Sequence, residues 1–342
     1  MYAQQRRTNS RSKASRHALA LALLASAGAA QAHQFCVSTA AQLQNALKQS
    51  GIGGAYNNES NIVRVVRGTY LTGAATNNGP FYYYSSAGGH LDLYGGYDST
   101  CTSTNWHAAQ TVLDGNHHTQ VLSLYGLHGE IDVAGFTIQN GESDQWGAGV
   151  AMTSGGSAVL IGNIIRNNHS SASGGALDMN TLLGGNLLYL ANNVIVGNAS
   201  DQGLGVGRAY AQGIETLVYN NTIADNTTAS AQEMGGLFLL GPTPAYVINN
   251  IFWGNTFAGM HIDSSSLTYD YNDSGYTIFN VIPDESIGNL SVQPKFVNRN
   301  AGNYHLAPSS PLIGISPYHF TETDPDGNPG SASGLEDLGA YH

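Results

Sequence analysis

The chain has 342 residues, of which 12 are basic, 23 are acidic and 43 are glycines. Charged residues make up only 10% of the sequence. The acidic balance argues against nucleic acid and anionic lipid as partners, because both are bound through Lys and Arg. A composition with so few charges and so many glycines favours stacked strands and tight turns over helices.

Residues 1–32 have the pattern of a secretory signal peptide: a basic opening, an apolar run over residues 18–30 and the small-x-small site Ala30-Gln31-Ala32. The run is shorter than the about 20 residues that a membrane span needs, and no later segment is apolar enough to span. We expect cleavage near Ala32 and a secreted or periplasmic mature chain. That chain keeps seven basic and 23 acidic residues, a net charge of −16.

Residues 33–115 are predicted to form an N-terminal cap and the first, irregular coils of a repeat structure. Within them, residues 39–49 show the spacing of a short amphipathic helix with Thr39 as its N-cap. Such a helix would cover the bare strand edges at the end of a solenoid. Cys36 and Cys101 both belong to the exported part, so we expect one disulfide between them, with two separate buried thiols as the alternative.

Residues 116–292 contain a repeat. Five segments align without gaps at offsets of 28, 30, 28 and 29 residues: 135–140, 163–168, 193–198, 221–226 and 250–255. Each is followed by a glycine-rich block and a third apolar run. Three short strands per period predict coils that bury their inner faces by stacking. Parallel strands then lie about 4.8 Å apart, which allows amide-to-amide ladders. The predicted ladder columns are Asn163/193/221/250 and Asn140/168/198/226/255.

The sequence therefore predicts an all-β protein, a right-handed parallel β-helix with an N-terminal capping helix. Residues 293–342 are assigned to a last coil and an irregular C-terminal cap. Leucine-rich repeats would need a denser leucine pattern, and propeller blades would need about 40 residues per repeat.

Motifs near both ends of the mature chain resemble a known family. They are LDLYGGY at 91–97, Trp106, TVLDG at 111–115, QPKFV at 293–297, NYHL at 303–306, SSP at 309–311 and DLGAY at 337–341. With the Asn-x-Ile-x-x-Asn repeats, they resemble secreted right-handed β-helix proteins of the choice-of-anchor Q and polymorphic outer-membrane types. The resemblance implies the fold and a surface or secreted location. It does not imply an activity, because β-helices host enzymes and non-catalytic proteins alike.

The chain departs from that family in two respects. The DPDGN turn at 324–328 is followed by Pro329 and Gly330, where the family has an arginine a few residues on. No anchor precedes His342, so free secretion or periplasmic residence is expected rather than covalent attachment.

Outward residues that interrupt the repeat are the candidates for a site. The alignment places Arg166 and Trp253 in one column, Asp178 in a second, and Arg208 in the column beside Asp178. The catalytic candidates are Asp178, Asp201, Arg208 and Glu233, and the ligand-binding candidates are Arg166, Trp146 and Trp253.

Two functions remain open. The first is a non-catalytic, adhesin-like protein that binds a polysaccharide, a cell-surface glycan or another envelope component, with tyrosines and tryptophans as stacking surfaces. The alternative is a polysaccharide-degrading enzyme. In a lyase, Arg166 or Arg208 would neutralise a uronate or abstract its proton. In a glycoside hydrolase, Asp178 would face Asp201 or Glu233 across roughly 5 or 6.5–9.5 Å.

No zinc spacing appears among the histidines. No cofactor is predicted, apart from a calcium ion between Asp178 and Asp201 in the lyase hypothesis. The oligomeric state is left open.

Overall fold

A computed structural model describes residues 32–104, 107–182, 184–203, 205–320, 323–329 and 334–341, so the predicted signal peptide lies outside the described residues except for its last position. The described chain winds into about eight coils of parallel strands, which confirms the right-handed parallel β-helix. Among the described residues, no helix is long and apolar enough to cross a membrane.

Three long parallel sheets form the walls of the solenoid, with strands numbered β1 to β31 along the chain. Sheet A stacks β1 (His33–Val37), β2 (Asn61–Val66), β5 (Leu91–Tyr97), β8 (Ile131–Ala134), β12 (Ala158–Ile161), β16 (Leu187–Ala191), β20 (Glu215–Tyr219), β24 (Pro244–Ile248) and β27 (Ser266–Asp270). Sheet B stacks β3 (Gly68–Leu71), β6 (Thr111–Asp114), β9 (Thr137–Gln139), β13 (Ile164–Arg166), β17 (Val194–Val196), β21 (Thr222–Ala224), β25 (Ile251–Trp253) and β28 (Asp273–Ser274).

Sheet C stacks β4 (Phe81–Ser85), β7 (Leu122–Gly126), β11 (Val150–Ser154), β15 (Leu177–Thr181), β19 (Gly207–Tyr210), β23 (Leu237–Leu240), β26 (Met260–Asp263) and β29 (Thr277–Phe279). A short sheet D lies between B and C in the chain path of four coils and contains β10 (Glu142–Ser143), β14 (His169–Ser170), β18 (Ala199–Ser200) and β22 (Thr227–Thr228). Near the C-terminus, β30 (Phe296–Asn298) pairs antiparallel with β31 (Asn303–Leu306).

The strands of sheet C alternate between the core and the surface with a period of two. In β15, Leu177 and Met179 are fully buried in the core, whereas the side chains of Asp178 and Asn180 are on the outer face. Since register partners stack directly above one another, each outward position becomes a column along the solenoid. The surface of the protein is therefore organised by column, and a site is built from residues about one period apart in sequence.

Helix α1 (Ala40–Ser50) closes the N-terminal end, as predicted. The Thr39 hydroxyl accepts a hydrogen bond from the Gln42 amide (3.2 Å), and Leu43 and Leu47 are fully buried in the main core. Three further single turns are 3-10 helices, at Ala74–Thr76, Ala108–Gln110 and Arg299–Ala301. The Cys36–Cys101 disulfide is present and joins β1 to the turn after β5.

Two asparagine ladders hold the turns at either end of sheet B together. In each rung, the side-chain amide and the backbone N–H of one asparagine both donate to the Oδ1 of the next, and a second amide hydrogen binds a backbone carbonyl. The residue before each rung has a left-handed backbone, which suits the Asn, Asp or Gly that precedes every rung except Asn272, where Tyr271 stands. The ladders are Asn163–193–221–250–272–289 and Asn168–198–226–255.

The gap-free alignment of the repeats is wrong in two places. Gly141, not Asn140, stands below Asn168 in its ladder, because the first period is one residue shorter than the alignment assumes. In sheet C, Arg208 is the register partner of Asp178 itself and not of its neighbour. The register between β15 and β19 has an offset of 30 residues, whereas matching Gly174 to Gly203 gives 29, so the alignment places Arg208 one position away from its true partner.

The irregular C-terminal segment packs along the side of the solenoid. Tyr318 and Phe320 cover outward residues of sheet A, including Tyr219. Tyr304 and Ala340 cover Val196 and neighbouring positions of sheet B. The outer faces of these two sheets are therefore closed over several coils, whereas the middle of sheet C keeps partly exposed side chains.

Candidate functional site

The outer face of sheet C carries two adjacent columns of partly exposed side chains, which we call the sheet C face. One column, in stacking order, is Tyr82, Ser123, Ala151, Asp178, Arg208, Phe238 and His261. The second is Tyr84, Tyr125, Thr153, Asn180, Tyr210, Leu240 and Asp263. Aromatic rings stand at both ends of the first column, and charged groups stand at its centre.

The charged centre is an ion pair between two of the predicted catalytic residues. Arg208 Nε lies 2.6 Å from Asp178 Oδ1 and its Nη2 lies 3.1 Å from Oδ2, the two-point geometry that makes Arg–carboxylate pairs strong. Asn180 donates to Asp178 Oδ2 at 3.1 Å. Both charged side chains are largely covered. The carboxylate is therefore saturated by its own neighbours, and the guanidinium is not free to bind the carboxylate of a uronate.

Trp146 completes this centre. It comes from the loop before β11, two coils from Arg208, and its ring lies 3.8 Å from the guanidinium carbon. A planar cation stacked on an indole face is an attractive contact that also fixes the ring in place. The loop itself is fixed because Gln120 donates to the Trp146 carbonyl at 3.1 Å. Trp146, predicted as a ligand-binding residue, thus forms one unit with Asp178 and Arg208.

Asp201 belongs to a different group. It follows β18 in sheet D, and its Oδ1 lies 3.0 Å from His169 Nε2, while the other ring nitrogen lies 2.6 Å from Glu142 Oε1. Hydrogen bonds to Asp201 and Glu142 raise the pKa of His169. These three side chains link three successive coils on the surface.

Glu233 makes a third kind of contact. It lies in the turn before β23, where its side chain approaches Gly203 closely, and its Oε2 is buried without a hydrogen-bond partner among the described residues. The three predicted acids therefore have different contacts: Asp178 is in an ion pair, Asp201 contacts a histidine, and Glu233 packs against Gly203.

The two candidates on sheet B are in one column, as predicted, but do not share a surface. Arg166 is exposed and donates to Gln139 Oε1 at 2.9 Å. Trp253 stands three coils further on, and the intervening Val196 and Ala224 are covered by the C-terminal segment. Trp253 lines a separate cleft together with Phe257 and Tyr276.

The described part of the chain contains no group of three or more His, Cys, Asp or Glu side chains placed to hold a metal ion. Asp324, at the DPDGN turn, accepts hydrogen bonds from the backbone N–H groups of Asp326 (2.9 Å) and Asn328 (2.7 Å). This is an Asx-type turn, in which the carboxylate oxygens are used by the loop itself.

A pair of acids that the sequence does not single out lies on sheet A. Asp92 and Asp132 are register partners on β5 and β8. Asp132 is 5% exposed, its Oδ2 accepts a hydrogen bond from the Tyr94 hydroxyl at 2.7 Å, and its Oδ1 has no partner in the described region. Burial and the nearby Glu130 raise the pKa of Asp92 to about 6, and burial and Asp92 raise that of Asp132 well above its ordinary value.

A sequence signal for this pair does exist. In Leu91-Asp-Leu and Ile131-Asp-Val, a single acid interrupts an otherwise apolar strand, on the outward side of a two-residue alternation. The sequence did not reveal the pairing, however, because Asp92 and Asp132 are 40 residues apart and β5 belongs to the irregular coils before the clear repeat. Perturbed carboxyls at such positions are characteristic of functional sites.

Comparison with known proteins adds no assignment: no family model, no curated protein and no solved structure matches this chain. The class that is shown is the parallel β-helix with a disulfide at its N-terminal end.

Proposed function

We propose that the protein is an extracytoplasmic, adhesin-like β-helix that binds glycans or other cell-envelope components through the sheet C face. The observation that carries this proposal is the row of partly exposed rings on one face. Tyr84 stacks on Tyr125 with ring centres 5.5 Å apart, and Phe238 contacts His261 at 4.8 Å. Flat aromatic surfaces with polar tips suit stacking against sugar rings.

The charge distribution favours a neutral glycan. The mature chain is strongly acidic, and the arginine at the centre of the sheet C face is already neutralised by Asp178. A polyuronate would meet repulsion over most of the surface without gaining a free cation. Stacking and hydrogen bonds to hydroxyl groups need no such cation.

An extracytoplasmic location is supported by two features. The first is the signal-peptide pattern of residues 1–32, and the second is the Cys36–Cys101 disulfide, a bond that persists in oxidising compartments. The resemblance to the choice-of-anchor Q and polymorphic outer-membrane types agrees with that location and with a role at the cell surface.

The proposal is tested by measuring binding of neutral and acidic glycans to the full mature chain. We expect binding to a neutral glycan to fall about fivefold or more in Tyr125→Ala and in Trp146→Ala, since stacking of a sugar on one ring contributes on the order of 1 kcal/mol. Arg166→Ala, on sheet B, is the matched control and should bind like the wild type. Equal binding by all three variants would exclude the sheet C face.

The second candidate function is hydrolysis of a glycosidic bond, and the Asp92–Asp132 pair favours it. Adjacent parallel strands lie about 4.8 Å apart, close to the about 5–5.5 Å between the carboxyls of retaining glycosidases. The raised pKa of Asp132 suits the acid that must keep a proton near neutral pH, whereas Asp92, with a pKa of about 6, would be ionised there and act as the nucleophile. Release of reducing ends from a neutral polysaccharide, lost in Asp92→Asn and kept in Asp178→Asn, would establish it. No release by the wild type would leave binding alone.

A further inference from the structure

A separate cleft of about 290 Å³ lies near the C-terminal end of the solenoid, beyond the sheet C face. Its floor is the fully buried Phe252, and its walls include Trp253, Phe257 and Tyr276. The volume is at the lower end of the range for small-molecule pockets. It suits one ring-sized group better than an extended chain.

Two of the wall residues are large aromatic side chains that are exposed to solvent. Phe257 is 49% exposed and Tyr276 is 52% exposed, and their rings are in edge-to-face contact at 5.5 Å. Phe257 has a left-handed backbone with φ of 57°, a conformation that is unfavourable for a bulky residue. An exposed ring held in a strained turn stabilises nothing in the core, so it points to contact with a ligand.

The cleft also lies at the end of an asparagine ladder. Asn255, one of its lining residues, is the last rung of the second ladder: its Oδ1 accepts from the backbone and side-chain N–H groups of Asn226, and its own amide donates to the Ile223 carbonyl at 2.7 Å. In the rungs below, the backbone N–H and the second amide hydrogen both donate to the Oδ1 of the next asparagine. Above Asn255 no asparagine follows, so among the described residues these two donors lack that acceptor.

The ladder therefore ends in a binding position for one more amide oxygen. The next rung would be an amide carbonyl receiving two N–H groups, and a ligand amide has the same chemistry. The nearest charges are compensated, because Arg299 beside Gly254 is paired with Asp225. The cleft therefore suits a neutral group that offers a carbonyl oxygen to the two N–H donors and a flat ring face to the aromatic walls.

We propose that this cleft binds an N-acetylated amino sugar, with the acetamido oxygen taking the place of the next asparagine Oδ1 and the pyranose ring packing against Phe257 and Tyr276. The inference rests on the proposed glycan-binding function and names a sugar class and a position for it. It is independent of the sheet C face, which lacks a ladder end.

The test compares two trisaccharides that differ in the acetamido group. Isothermal titration of the full mature chain with tri-N-acetylchitotriose is expected to give a dissociation constant about tenfold lower than with cellotriose, as expected for hydrogen bonds to one carbonyl. Phe257→Gly removes the ring and suits the left-handed backbone, so it should weaken binding of the acetylated sugar at least about fivefold without loss of stability. Tyr276→Ala should weaken binding of the acetylated sugar at least about fivefold.

Ile282→Ala is the matched control, because Ile282 is 89% exposed and does not line the cleft. It should bind as the wild type does. Asn255→Asp replaces the amide donor and should equalise the two sugars if the variant folds. If Asn255→Asp does not fold, Phe257→Gly and Tyr276→Ala still decide the test.

The outcomes separate the two proposals. Tri-N-acetylchitotriose binding that is unchanged in Phe257→Gly and Tyr276→Ala would overturn the cleft assignment and leave the sheet C face standing. No preference for the acetylated sugar in the wild type would also overturn it. Failure of the wild type to bind any glycan would overturn both.

Discussion

Asp178 and Arg208 occupy the same outward position on β15 and β19, one coil apart, and are joined by a two-point ion pair with a shorter contact of 2.6 Å. The pair is more covered than most surface ion pairs, with side chains 13% and 24% exposed. Stacked under Trp146, it links three coils of the solenoid. Its first consequence is structural, because removal of one partner leaves a largely buried charge.

Arg208→Ala should therefore destabilise the protein by about 2 kcal/mol, less than the about 3–5 kcal/mol for a fully buried pair that loses one partner. Urea unfolding at pH 7, followed by circular dichroism, measures this change. The control is Arg166→Ala, since Arg166 is exposed and its loss should change stability by less than about 0.5 kcal/mol. Equal effects from the two variants would show that the Asp178 ion pair contributes no more than a surface contact.

Asn198→Ala tests the ladder. Asn198 is fully buried, donates to two carbonyls and to Asn226, and accepts from the backbone N–H of Asn168. Its removal leaves several buried polar groups without a hydrogen-bond partner, and each such group costs about 1–3 kcal/mol. We therefore expect the free energy of unfolding, measured by thermal or urea unfolding, to fall by at least about 3 kcal/mol. Asn180→Ala, which removes a partly exposed amide, should cost less than about 1 kcal/mol. A ladder variant no less stable than that control would contradict the scaffold role.

The fold was predictable because the residues that determine it recur in short, local sequence patterns. Each coil must supply an asparagine at the same turn to continue the ladder, and therefore Asn193, Asn221 and Asn250 recur at nearly constant spacing. The helix signal was equally local, a cap at Thr39 followed by an apolar stripe. By contrast, the tail that covers sheets A and B has no periodicity, and its position depends on packing with distant residues such as Tyr219.

The sequence predicted which residues belong to the site but not how they contact one another. Asp178, Arg208 and Trp146 interrupt the pattern of the repeat and were singled out for that reason. The contact of Asp178 with Arg208, however, depends on a register offset of 30 residues, and matching the glycines of the two coils gives 29. Asp92 and Asp132 were missed for a similar reason, because a lone acid in an apolar strand acquires meaning only when its register partner is known. Because side chains alternate between the two faces of a strand, a register error of one residue moves every side chain to the opposite face.

The Cys36–Cys101 disulfide closes a loop with a sequence separation of 65 residues. Restricting the unfolded chain over such a loop stabilises the folded state by up to about 4 kcal/mol. The double variant Cys36→Ser/Cys101→Ser should therefore unfold at a lower urea concentration than the oxidised wild type. A reducing agent should lower the wild-type midpoint to that of the variant and leave the variant unchanged. Coincident oxidised and reduced midpoints for the wild type would contradict this contribution.

The Asp92–Asp132 pair predicts an unusual dependence of stability on pH. Burial and the nearby Glu130 raise the pKa of Asp92 to about 6 from an ordinary 3.8, so the folded protein binds the proton more tightly than the unfolded chain does. Stability should then fall as the pH rises from about 4 to about 6, since the unfolded state loses its proton first. Because the two acids interact, the measured midpoint belongs to the pair rather than to Asp92 alone.

Asp92→Asn removes one of the two charges while keeping the shape of the side chain. Relative to the wild type, the variant should gain stability as the pH rises, by on the order of 2 kcal/mol between pH 4 and pH 7. Urea midpoints measured across that range give the difference directly. Asp263→Asn, at an exposed position of sheet C, should show no such trend relative to the wild type. If Asp92→Asn instead loses stability at pH 7, the Asp92 carboxylate is stabilised by a compensating partner, and the two acids do not oppose one another in the folded state.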